Sequence, residues 1–213
     1  MFNRKHLDQM VLDVELVLIS VVQGVALTTL AIEAAPMLRA HTPLGWTFVA
    51  TGIFFVLSFW SVALIHAISF VTWPMDLTHY FCYFVLALLE CLTFAQIGHP
   101  HEWFGYSIAC FVLIGLLYAY DLRLILGRRD LFEGSAPGRA LYQHILKRQR
   151  VELMGLVPVG LVFNTVAWWL VDVRHGTALG LALMQLLLTV SFVVSFVRSF
   201  SERSRLITAC IED

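Results

Sequence analysis

The feature that most constrains the fold of this sequence is a series of long apolar intervals with few or no charged residues. The first clean interval covers residues 16–32, and comparable intervals recur as far as residue 197. A helix that crosses a bilayer needs about 20 mostly apolar residues. The intervals are continuously apolar rather than alternating, which is typical of membrane helices and not of barrel strands. We therefore predict an all-α, polytopic membrane protein.

The number of apolar intervals predicts six transmembrane helices in a single domain that covers residues 1–213. A soluble domain of this length cannot bury a chain that is 59% hydrophobic and 14% charged, because its surface is too large for its volume. A basic cytoplasmic loop is expected at 121–150, where the stretch from Arg139 to Arg150 forms a helix that either attracts anionic lipids or only fixes the topology. We expect the transmembrane helices at about 11–35, 44–70, 77–97, 103–121, 152–172 and 177–198.

The distribution of positive charge predicts that both termini are cytoplasmic. Of the 14 lysines and arginines, only Arg39 and Arg174 fall in outside loops, and the other twelve fall inside. Cytoplasmic segments carry an excess of such residues, so we expect this orientation in a bacterial inner membrane. The formal net charge of −1 argues against a nucleic-acid partner. Aromatic residues expected near the outer membrane surface are Trp46, Trp103, Trp168 and Trp169.

The first predicted helix carries a small, polar stripe. Ser20, Gln23, Gly24, Leu27 and Thr28 recur at spacings of three and four, so they share one side of the helix. Such a stripe allows close packing against a neighbouring helix, and a small-residue spacing of four is typical of that contact. The same stripe is also suited to line a hydrated path. Both interpretations stay open from the spacing alone.

Polar residues inside the other apolar intervals are further candidates, because their burial in hydrocarbon is costly. His66 and Ser69 share a face near the cytoplasmic end of the second helix. Glu90 lies well inside the third helix and must be protonated or paired there. Its candidate partners are Asn164 and Gln185. Glu90 is therefore either a proton or cation site or a neutral acid that holds helices together.

The sequence carries no motif that points to an enzyme, a metal centre or a cofactor, and we expect none of the three. The outer-loop stretch from His99 to Glu102 contains two histidines and a carboxylate, but Pro100 disrupts the spacing that metal ligands would need. We interpret it as an exposed polar turn. Asp121 and Arg123 are expected to extend to water at the inner membrane surface.

Three features together resemble the endolysosomal potassium channel family, specifically its bacterial members with six helices per chain. In the first helix, residues 21–25 read Val-Val-Gln-Gly-Val and are followed by Ala-Leu-Thr-Thr-Leu-Ala-Ile and Glu33. The second helix ends with His66-Ala-Ile-Ser-Phe70, and a basic linker precedes the fifth helix. At the positions of the family's Arg and Phe-Ser-Asp signature, this chain has Val17 and residues 21–23.

The resemblance implies a homo-oligomer, expected to be a tetramer, whose pore is lined by the first helix and conducts potassium or other monovalent cations. An apolar ring at Leu27 or Leu30 would close the pore by excluding water. Two other classes of function remain open. The chain could be an accessory or structural membrane subunit that binds a partner protein, or a proton-coupled transporter that uses Glu90. The pore-lining candidates are Ser20, Gln23, Gly24, Leu27, Thr28 and Leu30.

Overall fold

The computed structural model describes residues 4–69, 77–127, 129–132, 134–174 and 176–212, and these residues contain helices and no β-strand. Each predicted apolar interval forms a helix, which confirms the all-α fold. A short 3₁₀ turn, Arg129–Phe132, lies between the fourth and fifth helices. The helices are α1 (Arg4–Arg39), α2 (Pro43–Ser69), α3 (Leu77–Phe94), α4 (Pro100–Leu126), α5 (Ala136–Val151), α6 (Val157–Val173) and α7 (Ala178–Glu212).

Five helical stretches are long and apolar enough to cross a membrane, as expected for an integral membrane protein. The third predicted segment is different, because its apolar helix, Thr78–Phe94, is shorter than the others. At a rise of 1.5 Å per residue, it is about 25 Å long. The five longer stretches are Leu16–Arg39, Pro43–Ala63, Pro100–Leu126, Ala136–Val173 and Ala178–Cys210.

The predicted basic loop at 121–150 is mostly helical. The structure extends α4 to Leu126 and places α5 within the second half of this region, so the predicted basic helix is confirmed. Ser135 caps α5 by accepting a hydrogen bond from the backbone nitrogen of Gly138 at 3.1 Å. The last predicted helix also continues beyond residue 198, since α7 ends at Glu212. Its charged C-terminal part follows the apolar part, and α7 packs against α5.

A π-helical turn, Glu152–Leu156, joins α5 to α6 without a break. Pro158 lies just after this turn and has no backbone N–H to donate to the preceding turn of the helix, which makes a local change of helical geometry favourable there. The whole stretch Ala136–Val173 is about 57 Å long, whereas the hydrocarbon of a bilayer is about 30 Å thick. By length and composition, α6 is the part of this stretch suited to cross the hydrocarbon, and the charged α5 is suited to lie outside it.

The helices pack in a ring in which α1 contacts α2 and α3, α2 contacts α7, α3 contacts α4, α4 contacts α6, and a smaller contact between α6 and α7 closes it. An aromatic cluster fills the centre, where the rings of Phe48 and Trp103 lie 4.6 Å apart. Trp103 is 0% exposed and lies on the inner face of α4, so its indole ring packs inside the bundle instead of facing its surroundings. Trp46, Trp168 and Trp169 are exposed on the outside of the bundle.

Candidate functional site

The polar stripe of α1 lies on the outside of the protomer. Ser20, Gly24, Leu27 and Thr28 are all exposed, and we call these four residues the outward face of α1. A Cβ atom added at Gly24 would meet no other atom within 4 Å, so none of the described helices packs against the face at this point. The Thr28 hydroxyl donates to the Gly24 carbonyl at 2.8 Å, which satisfies it within the helix. Packing within one chain therefore does not explain the stripe.

Leu30 does not belong to the outward face, and its predicted position in the pore is wrong. Its side chain is 2% exposed and packs against α2, where a Cβ atom at Gly52 would lie only 2.8 Å from its Cδ1 atom. Leu30 lies two residues after Thr28 and six after Gly24, and these spacings turn its side chain by about 200° and 240° from theirs. This rotation carries Leu30 from the outward face into the core, whereas Leu27 remains 49% exposed.

Gln23 lies at the edge of the stripe and connects it to the buried acid of α3. Its Nε2 atom donates to Oε2 of Glu90 at 3.0 Å. Glu90 is 1% exposed, and its Oε1 atom has no partner among the described residues. The predicted partners of Glu90 were Asn164 and Gln185, and this pairing is wrong because α3 lies between α1 and α4 rather than beside α6 or α7.

A small cavity lies next to Gln23, between α1, α2, α3 and α4. Its volume is about 30 Å³, and its lining includes Tyr83 and Tyr118. A cavity needs only about 10–15 Å³ of such space to hold one water molecule, provided that polar partners are available. The Gln23–Glu90 pair is therefore a buried polar contact with room for a water molecule beside the amide.

Asn164 and Gln185 form a second polar cluster, separate from Glu90. The Nε2 atom of Gln185 donates to Oδ1 of Asn164 at 2.8 Å, and its Oε1 atom accepts from Nε1 of Trp103 at 2.8 Å. Ser107 lies 3.4 Å from the same Nε2 atom. The four side chains are buried and join α4, α6 and α7. The Nδ2 atom of Asn164 donates to the Gly160 carbonyl at 2.7 Å, so both amide side chains have their donors and acceptors paired, and we interpret the cluster as structural.

A third buried pair joins α3 to α4. The Nε2 atom of His79 lies 2.6 Å from Oδ1 of Asp121, and both side chains are buried. The expected extension of Asp121 to water is therefore wrong, since the carboxylate faces the bundle instead. The side chains of His66 and Ser69 lie outside the part of the chain whose side chains the structure describes.

Sequence reasoning missed the pairing of Gln23 with Glu90, although a signal for it was present. Gln23 is the one side-chain amide within residues 16–32, and Glu90 is the one carboxylate within the third apolar interval. Groups of this kind seek each other in hydrocarbon. Among the described residues, no group of three or more histidine, cysteine or acidic side chains is arranged to hold a metal ion.

Comparison with known proteins finds no family model, no curated protein and no solved structure that this chain matches. The resemblance to the potassium channel family therefore stays a prediction from the sequence.

Proposed function

We propose that the protein is a homo-oligomeric channel for monovalent cations such as potassium, with a pore lined by the outward face of α1 from each copy. The observation that supports this proposal is that the most polar side of α1 is exposed and that no other described helix packs against it at Gly24. The opposite side of α1 is packed against α2 and α3, which holds the helix in place. In the proposed tetramer, four such faces surround a common axis.

Leu27 provides the constriction in this proposal. It is the large apolar residue of the outward face, and Gly24 and Thr28 lie beside it on the helix. A ring of leucine side chains disfavours water and ions until the ring widens. The hydroxyl groups of Ser20 and Thr28 lie on either side along the helix and would favour hydration there.

The proposed channel has six spans, which are the five long apolar stretches and the shorter α3. Both termini lie in the cytoplasm of a bacterial cell. An α3 span of about 25 Å fits a bilayer of about 30 Å with local thinning, at a modest cost per ångström of mismatch. The excess of lysine and arginine in the N-terminal, α4–α5 and C-terminal segments supports this orientation.

Replacing Leu27 with alanine is expected to raise potassium flux severalfold in liposomes that contain the purified protein. The smaller side chain widens the apolar ring and makes it easier to hydrate. Leu116→Ala is the matched control, because Leu116 is exposed on the outside of α4 and does not belong to the proposed pore. The flux of this control should equal that of the unaltered protein.

The oligomeric state decides between this proposal and that of an accessory subunit. A stable tetramer purified alone, with flux that changes in Leu27→Ala, supports the channel. A monomer that shows no flux overturns it. A protein that is stable only when another protein co-purifies with it supports an accessory subunit, in which the outward face of α1 is covered by the partner.

The Gln23–Glu90 contact favours a second candidate function, proton-coupled transport. Glu90 is fully buried, holds one unpartnered oxygen among the described residues and contacts the helix that bears the outward face. A buried carboxyl that gains and loses a proton is a common element of such transporters. Glu90→Gln keeps the size of the side chain and removes the titratable proton. Transport that loses its dependence on a pH gradient in this variant supports the second candidate, and unchanged transport excludes it.

A further inference from the structure

A groove of about 550 Å³ lies between α5 and the middle of α7, from Val190 to Glu202. None of its lining residues belongs to α1, so the groove is separate from the proposed pore. Its lining combines cationic side chains with valines and serines. The lining includes His144, Lys147, Arg148, Val151, Val194 and Arg198.

The groove has a polar end and an apolar end. Because α5 and α7 are antiparallel, the end of α5 that carries Val151 lies beside the part of α7 that carries Val190 and Val194. The Nη1 atom of Arg148 donates to the Ser195 hydroxyl at 2.9 Å. One helical turn away, on the side opposite the valines, Nε2 of His144 lies 3.3 Å from the Ser199 hydroxyl. In the other direction, toward the membrane-spanning parts of both helices, the walls become apolar. This end is formed by Val151, Val190 and Val194.

The cations of the groove are not all neutralised by the protein. Arg148 donates through Nε to Oε1 of Glu152, so its charge is compensated. Lys147 and Arg198 are both exposed, and no ion pair is formed by either of them within the described residues. These two side chains, one from each helix, leave uncompensated positive charge at the point where the groove changes from apolar to polar.

The outermost part of the groove does not cancel this charge. Nδ1 of His144 lies 3.5 Å from Oε2 of Glu202, but the Glu202 side chain is largely exposed and its charge is screened by water. Burial, together with the positive charge of Arg203, lowers the pKa of His144 below its ordinary value. Its imidazole is therefore neutral at neutral pH, and the cationic part of the groove depends on Lys147 and Arg198.

The apolar end of the groove is formed by valines of both helices, Val151 from α5 and Val190 and Val194 from α7. It adjoins the cationic part directly, since Val151 follows Lys147 and Val194 precedes Arg198 by one helical turn each. A cationic groove with valine walls at one end matches an amphiphile with a negative headgroup and hydrocarbon chains.

We propose that the groove between α5 and α7 binds an anionic phospholipid, whose phosphate lies between Lys147 and Arg198 and whose acyl chains lie against the valine end. This inference concerns a site that the proposed channel does not use, and it does not depend on ion conduction. The cytoplasmic leaflet of membranes is rich in anionic lipids that basic side chains attract. The proposed orientation places the groove at that leaflet.

The test measures lipid binding to the purified full-length protein in a neutral detergent. Phosphatidylglycerol is titrated, and bound lipid is counted by native mass spectrometry, with phosphatidylcholine as the neutral lipid. The double variant Lys147→Gln/Arg198→Gln should weaken phosphatidylglycerol binding about tenfold or more, since each cation near a lipid surface contributes about one kcal/mol. The matched control is Arg150→Gln/Arg205→Gln, which removes one exposed cation from each of the same helices outside the groove.

The proposal is supported if the control retains binding and if Lys147→Arg/Arg198→Lys, which conserves the charge, also retains it. Equal binding of phosphatidylcholine overturns it, as does an equal loss of binding in the control double variant. Inorganic phosphate that displaces the lipid at equal concentration would show a soluble-phosphate site instead. Loss of binding in the charge-conserving variant would show that the two side chains act through packing, and this would also overturn the proposal.

Discussion

Replacing Trp103 with alanine is expected to lower the free energy of unfolding by about 3 kcal/mol, one of the largest effects of any single substitution in this chain. Trp103 is fully buried and contacts Phe48, Phe55 and Phe94 at ring-centroid distances of 4.6, 6.5 and 6.2 Å. Large-to-small substitutions of core aromatic residues cost about 3–5 kcal/mol. We expect a value at the lower end of this range, because membrane helices associate through van der Waals packing and not through the removal of apolar surface from water.

The same substitution also removes the hydrogen bond from Nε1 of Trp103 to Gln185. Interhelical hydrogen bonds in membrane proteins contribute about 0.6 kcal/mol on average, so most of the loss comes from the cavity. Trp169→Ala is the matched control, since Trp169 is 57% exposed on α6. Unfolding in mixed micelles with increasing denaturing detergent should show a much smaller loss for this control. Equal losses in the two variants would contradict the central position of Trp103.

The sequence predicted the helices because the property that defines them is local. An apolar interval of sufficient length favours a helix in a membrane whatever its neighbours do. The end of α7 and the π-helical turn before α6 were not predicted, because they depend on contacts with other helices. The shortness of α3 was missed for a similar reason, since residues 95–98 are apolar in part but form turns.

The candidate site was predicted only to the extent that helical spacing decides it. Spacing shows that Ser20, Gly24 and Thr28 share a side of α1, but not whether that side faces the bundle or its surroundings. Leu30 was misplaced because it lies at the edge of the stripe, where a rotation of about 60° separates the surface from the core. The partner of Glu90 could not be found without knowing that α3 lies next to α1.

Two of the three buried polar contacts differ in how fully their hydrogen-bonding groups are used. Asn164 and Gln185 join α4, α6 and α7 through a cluster in which their hydrogen-bonding groups are used. Gln23 and Glu90 join α1 to α3, and each retains an oxygen without a partner in the described part of the chain. A fully satisfied cluster fixes a structure, whereas a partly satisfied one leaves groups that can bind water or a proton. The functional proposals therefore concern the α1–α3 side, and the α4–α6 side serves as its support.

Gly160→Ala tests that support, and it is expected to lower the free energy of unfolding by about 1–3 kcal/mol, the usual cost of overpacking a core. Gly160 is buried on α6 against α4, and a Cβ atom built there would overlap the ring of Phe111. The contact between α4 and α6 is the most extensive between two helices in the described residues. The ring of Phe111, which borders an apolar crevice of about 100 Å³ together with Gly160, must therefore move to accept one methyl group.

Gly180→Ala is the control, because a Cβ atom at Gly180 would meet nothing within 4 Å. Alanine is a better helix former than glycine, so this variant should keep or slightly raise stability. Adding Phe111→Leu to Gly160→Ala should recover part of the loss, because the shorter side chain frees the space that the methyl group needs. Such a recovery in a double-mutant cycle would show that the two residues act through direct contact. If Gly160→Ala behaves like Gly180→Ala, α6 does not approach α4 as closely as the fold requires.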